Sequence, residues 1–116
     1  MKPTQVVNPK PTLKAWLIVH GGKLDGQSFR LRPRQGVITV GKDGKLADFV
    51  VDDQTVSSQH IRLRYENGHF VLTDLASLNG TWVNQKQVQV HRLQDDDVIT
   101  IGSTTLVYKC IKPKVV

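Results

Sequence analysis

The sequence predicts an all-β sandwich with no substantial helix, and three observations carry that reading. Turn signals recur at short intervals, at Gly21-Gly22, Gly26, Gly36, Gly41, Gly44, Gly68, Asn79-Gly80 and Gly102-Ser103. The segments between them often alternate: Ile61, Leu63 and Tyr65 face one way while Arg62, Arg64 and Glu66 face the other. That period of two is the mark of a half-buried strand. No window of helical length shows apolar residues at i, i+3 and i+4, and many short strands between turns read as a sandwich or barrel.

The elements follow in order. Strands are expected near 15–20, 28–32, 37–40, 48–51, 61–66, 69–74, 81–83, 87–91, 98–101 and 104–111. Phe29 and Leu31 alternate with Arg30 and Arg32, and Leu106, Tyr108 and Cys110 alternate with Thr105, Val107 and Lys109. Val37 to Val40 is a run of strong strand formers. Residues 1–14 hold Pro3, Pro9 and Pro11 and no periodic pattern, so they read as a flexible tail, as do residues 112–116. The body, 15–111, is one domain, which is all that 116 residues allow.

Composition narrows the function. The longest unbroken apolar run, Ala15 to Val19, is far short of the ~20 residues of a membrane span. No apolar stretch of signal-peptide length follows Met1. Cys110 is the only cysteine, which excludes an internal disulfide and a cysteine-based zinc cluster. An intracellular, cytoplasmic, monomeric protein away from membranes is expected. The net charge of +6 is concentrated in the tails, with +3 in residues 1–14, +2 in 112–116 and +1 in the body. A nucleic-acid-binding domain would carry its excess on the folded surface, so no nucleic-acid partner is expected.

Several motifs fail on their chemistry. Gly36 to Lys42 imitates a phosphate-binding loop, but Asp43 stands where a magnesium-holding Ser or Thr belongs and no helix follows. Asn79-Gly80-Thr81 is a formal glycosylation site, yet Asn-Gly is better explained as a tight turn. His20, His60, His69 and His91 show no zinc-ligand spacing, and Asp95-Asp96-Asp97 lacks the alternating ligands of a calcium loop. No metal or cofactor is expected. Ser57, His60 and Asp74 are the residue types of a hydrolase triad, but Ser57 sits in no nucleophile elbow and residue types alone do not make one. No enzymatic activity is expected.

One constellation remains, spread over the loops between strands. Gly41-Lys42 ends a strand and Ser57-Ser58-Gln59-His60 precedes one. Asp74-Leu75-Ala76-Ser77-Leu78-Asn79-Gly80-Thr81-Trp82-Val83-Asn84 follows another, and Leu93 to Ile99 and Ile101-Gly102 come later. Gathered at one end of a sandwich, Lys42, Ser57, Ser58 and Asn79 would present one cation, two hydroxyls and a carboxamide. Those are parts for holding a small dianion without reacting with it.

Over about Trp16 to Ile111 the sequence resembles a forkhead-associated (FHA) domain. A Gly-basic pair, then S-x-x-H, then D-L-x-S-x-N-G-T-x-V-N, then L-x-D-x-D-x-I-x-I-G occur in order. The resemblance implies about eleven strands and apical loops that bind phosphothreonine in a peptide, within Ser/Thr-kinase signalling. It implies that Ser57 donates its hydroxyl to the phosphate, with Ser58 beside it, and that Asn79 hydrogen-bonds the peptide backbone. Gly41 and Gly80 would shape the loops. His60 would brace them from behind without touching ligand. Thr55 would read the residue three after the phosphothreonine, and an apolar niche for its γ-methyl would favour it over phosphoserine.

Two positions depart from the family pattern. Lys42 stands where Arg is usual, keeping the charge and losing the planar fork that grips two phosphate oxygens. Leu78 stands where Thr or another polar residue often precedes Asn-Gly. A weaker or retuned site is expected, and the alternative is an FHA-fold scaffold making phosphate-independent contacts. Thr4 and Thr12 in the tail offer a further ligand, the chain's own phosphorylated flank.

Overall fold

The structure, a computed structural model, describes residues 13–113. The expected tails lie almost wholly outside that range.

Alternation builds the first strand. In β1 (Lys14–Val19), Ala15, Leu17 and Val19 are buried while Trp16 and Ile18 face outward. Leu13 is buried just before it, and the strand itself begins one residue ahead of the expected edge at residue 15. The other strands are β2 (Ser28–Leu31), β3 (Ile38–Gly41), β4 (Phe49–Val50), β5 (Ile61–Glu66), β6 (His69–Asp74), β7 (Thr81–Val83), β8 (Lys86–Gln87), β9 (Val90–Arg92), β10 (Val98–Ile101) and β11 (Thr104–Ile111). A single 3-10 turn, Pro33–Gln35, is the only helical element among the described residues.

Two sheets face each other. One has the order β2-β1-β11-β10-β7-β8 and the other β4-β3-β5-β6-β9. Leu17, Leu31, Ile99, Ile101, Leu106 and Tyr108 from the first sheet meet Ile38, Val40, Ile61, Leu63, Phe70 and Leu72 from the second, all buried. Tyr108 and Tyr65 meet Phe70 edge-on, with centroids 6.4 and 5.1 Å away. Phe29 stacks on Phe49 at 4.8 Å and joins the edge strands β2 and β4 of the two sheets.

The expected strand at 87–91 needs correction. The chain leaves the first sheet after Gln87 and enters the second at Val90. Val88 N still donates to Thr81 O, while Asp74 N already donates to Gln89 O. Two short strands in different sheets therefore replace one.

The registers place one set of loops together. Val40 pairs with Ile61, Ile61 with Asp74, Ile101 with both Thr81 and Thr104. The turns leaving β3, β6 and β10 and the segments entering β5, β7 and β11 hence crowd one end, called apical below. β1 starts at the other end, where Lys14 pairs with Ile111.

Candidate functional site

At the end of β3 the backbone of Gly41 lies against the segment before β5. A Cβ there would come within 2.1 Å of the Ser58 carbonyl oxygen, so only glycine fits. The contact continues in hydrogen bonds. Lys42 N donates to Ser57 O at 3.1 Å and Asp43 N to Ser58 O at 3.3 Å. Exposed Lys42 also directs its Nζ to within 3.5 Å of Gln54 O.

His60 fixes the middle of the site. Its fully buried ring accepts from Ser57 N at Nδ1, 3.0 Å, and donates from Nε2 to Gly80 O, 2.8 Å. The first bond sets the tautomer. Both ring nitrogens are thus spent on joining the β4–β5 loop to the β6–β7 loop. No nitrogen is left to activate Ser57, so Ser57, His60 and Asp74 do not form a triad.

Asp74 organises the β6–β7 loop. Its Oδ1 accepts from Ser77 Oγ at 2.5 Å and Thr81 Oγ1 at 2.6 Å, and its Oδ2 accepts from Ser77 N at 3.2 Å. Burial opposes its charge, but the hydrogen bonds from Ser77 and Thr81 overcome this and hold its pKa below the usual carboxylate value. Ala76 takes a left-handed conformation, φ 52°, to complete the turn. Leu78 N then donates to Ser57 Oγ at 3.1 Å, and Asn79 Nδ2 donates to Thr55 O at 2.9 Å. Gly80 is also left-handed, and a Cβ there would meet Gln87 Nε2 at 2.6 Å.

Asp53 does the same for the β4–β5 loop. Its Oδ1 accepts from Thr55 N and Thr55 Oγ1, and its Oδ2 from Thr104 Oγ1. Burial again raises its pKa and the bonds from Thr55 and Thr104 outweigh it, giving a net lowering. Thr55 Oγ1 also accepts from Ser103 N at 2.7 Å, so this hydroxyl is held by the protein itself. Gly102 packs on it, and a Cβ there would lie 2.4 Å from Thr55 Oγ1. A cleft of about 350 Å3 adjoins Thr55, lined by Lys23, Leu24, Asp52, Gln54 and Ser103 among others.

Lys42, Thr55, Ser57, Ser58, Leu78 and Asn79 therefore meet at the apical end, with Gly41, His60 and Gly80 beneath or beside them. The acidic turn at 95–97 does not join them. Asp97 accepts from Asn84 Nδ2, His91 Nε2 and Gln94 N, and Asp96 N donates to Tyr108 O, all toward the opposite end. Burial and the Gln94 and His91 bonds act on Asp97 in opposition, and its pKa is also lowered. Sequence reading missed Asp53, Ser77 and the Gly102 contact. The D-x-T and D-x-x-S spacings were the available signal, because Asp side chains commonly bond backbone N–H groups two or three residues on.

The apical arrangement can now be set beside known proteins. The FHA-domain pattern matches residues 38–102, over half the chain, including the β4–β5 and β6–β7 loops just described. The chain belongs to the FHA-domain family. The FHA family is one of phosphopeptide-binding, phosphothreonine-reading modules. The FHA chain is 37% identical over 98 residues to the glycogen accumulation regulator GarA of Mycobacterium tuberculosis, covering 84% of this chain and 59% of that protein. It is also 37% identical over 98 residues to the oxoglutarate dehydrogenase inhibitor of Corynebacterium glutamicum, covering 84% of this chain and 66% of that one. The chain thus spans about three-fifths of the curated relatives it matches. Among solved structures, an FHA domain described for phosphothreonine-dependent interactions superposes with a TM-score of 0.76 at 32% identity, covering 87% of this chain and 99% of that chain. The FhaA FHA domain complexed with the intracellular domain of Rv3910 gives 0.73 at 33% identity, covering 82% and 99%.

Proposed function

We propose that this chain's apical loops hold a phosphothreonine peptide, with Lys42, Ser57 and Ser58 on the phosphate and Asn79 on the peptide backbone. One observation carries the assignment. Ser57 Oγ accepts the Leu78 N–H and donates to no described residue, so its hydroxyl hydrogen is left for an incoming acceptor. Among the described residues Asn79 bonds only Thr55 O through its side chain, which leaves its Oδ1 and a second N–H for the peptide. The carboxylates of Asp53 and Asp74 are tied into the loops by hydroxyl and amide donors, which limits their repulsion of a dianion. No step of bond making is needed, and the reading is of a binding module without catalysis.

The test is a titration of matched threonine, phosphothreonine and phosphoserine peptides at fixed salt. Phosphothreonine should bind with a micromolar Kd, about −8 kcal/mol. Ser57→Ala should remove about 1.5–3 kcal/mol, since the lost bond goes to a charged group. An unchanged affinity would take Ser57 out of the site. The departures at Lys42 and Leu78 favour a second reading, phosphate-independent protein contact through the same rim, which predicts equal affinity for the plain peptide.

Thr4 and Thr12, which lie outside the described residues, are unequal as ligands of their own domain. The chain enters β1 at the end away from the loops, and six residues of strand span about 20 Å. Thr4 precedes Leu13 by nine residues, an extended reach of at most about 30 Å, whereas Thr12 is adjacent to Leu13. Phosphorylated Thr4 can reach its own loops, and phosphorylated Thr12 only those of a second copy. A monomer working where kinases and ATP are found, inside the cell, fits this chemistry. The relatives' names, a glycogen accumulation regulator and an oxoglutarate dehydrogenase inhibitor, support a regulatory role.

A further inference from the structure

Leu78 is 90% exposed, more than any other large apolar side chain among the described residues. A lone exposed leucine is ordinary. This one is held in place. Its own N–H is bonded to Ser57 Oγ, the residue before it is clamped by Asp74, and the residue after it is pinned to Thr55 O. These bonds fix the backbone from which the side chain projects. On the other side of the same turn, Trp82 is 38% exposed with Nε1 3.5 Å from Asn79 O. Two apolar surfaces thus flank Asn79 at the rim of the phosphate site.

We propose that Leu78, with the indole of Trp82, forms an apolar ledge that selects phosphothreonine peptides carrying an aliphatic side chain next to the phosphothreonine. The inference rests on the phosphopeptide reading above and names the kind of partner that site prefers. The occupant follows from continuity. A peptide held by Ser57 through its phosphate and by Asn79 through its backbone must lay its neighbouring residue against the surface that borders both. The side chains of Leu78 and Trp82 are themselves uncharged, so a charged neighbour laid against them would lose water without gaining a partner.

The experiment uses the whole chain and three phosphothreonine peptides, identical except for leucine, alanine or aspartate on both sides of the phosphothreonine. Each is titrated into the wild type, Leu78→Ala and Leu78→Thr, with the unphosphorylated leucine peptide as reference. The wild type should prefer leucine over alanine by about five- to tenfold, the gain expected from covering roughly half a leucine side chain. In Leu78→Ala that preference should fall below about twofold, with the phosphorylated leucine peptide still bound more tightly than the unphosphorylated one. Leu78→Thr should lose the leucine preference too, which guards against a folding defect in the alanine variant. Equal binding of leucine and alanine peptides by the wild type, or a preference that survives in both variants, overturns the ledge while leaving phosphate reading intact. Equal binding of phosphorylated and unphosphorylated peptide overturns both.

Discussion

Asn79 Nδ2 donates to the Thr55 carbonyl at 2.9 Å, so the side chain proposed to grip a peptide also rivets the β6–β7 loop to the β4–β5 loop. The two roles predict a double penalty for Asn79→Ala. Losing a single exposed hydrogen bond should cost the fold about 0.5–1.5 kcal/mol, read as a lower urea midpoint. Phosphopeptide affinity should fall further than that, because the peptide contact and the loop geometry go together. A binding loss no larger than the stability loss would leave Asn79 as a rivet only.

Lys42 has the charge of arginine without its fork. Lys42→Arg should strengthen phosphopeptide binding by roughly 1 kcal/mol, about fivefold. Lys42→Met should weaken it and flatten its salt dependence, since a screened charge contact is gone. Titrations at two ionic strengths check both, and a salt dependence unchanged in Lys42→Met would remove Lys42 from the phosphate.

Gly41→Ala tests the close approach under the site. The added Cβ would sit 2.1 Å from Ser58 O, a backbone atom that moves only with its loop. The expected result is a loss of at least about 2 kcal/mol of stability with loss of binding. Gly44→Ala is the control, as its Cβ would meet only Val50 Cγ2 at 3.7 Å.

Acid should loosen the apical end. Asp53 and Asp74 have lowered pKa values in the folded chain, as does Asp97 at the far end. Depressed carboxylates contribute stability that is present above their unfolded value of about 3.9 and is lost as pH falls through the folded values. Urea midpoints should therefore be flat in these groups from pH 5 to neutrality, by that same reference value, and drop below about pH 4. Asp74→Asn should be less stable at neutral pH and should show a shallower acid loss. A wild-type midpoint that holds steady well below pH 4 would contradict the network.

Much of this was legible in the residues themselves. The alternation of Ile61 to Glu66 and of Thr104 to Ile111 placed β5 and β11 to the residue, because one face of each is buried and the other wet. The loop motifs put Lys42, Ser57 and Asn79 between strands, and the registers of those strands gather them at one end. The segment 87–91 misled for a physical reason. Gln87-Val88-Gln89-Val90-His91 alternates well, but alternation reports burial of one face and not which sheet buries it. The bond from Thr104 to Asp53 was hidden for a related reason, since Thr104 arrives from a strand 51 positions away. Gly102 looked like a simple turn glycine, and its contact with Thr55 spans 47 positions of sequence.

That last contact links the β10–β11 hairpin of one sheet to a recognition loop that leads into the other. With His60 and Asp74 it leaves the binding loops little freedom to lose. A partner then meets loops already held by their own hydrogen bonds, and most of the ordering entropy of association should fall on the incoming peptide. Affinity in such a complex is set by how stiff the ligand is: a phosphothreonine held in an extended segment should bind more tightly than the same residues in a floppy one.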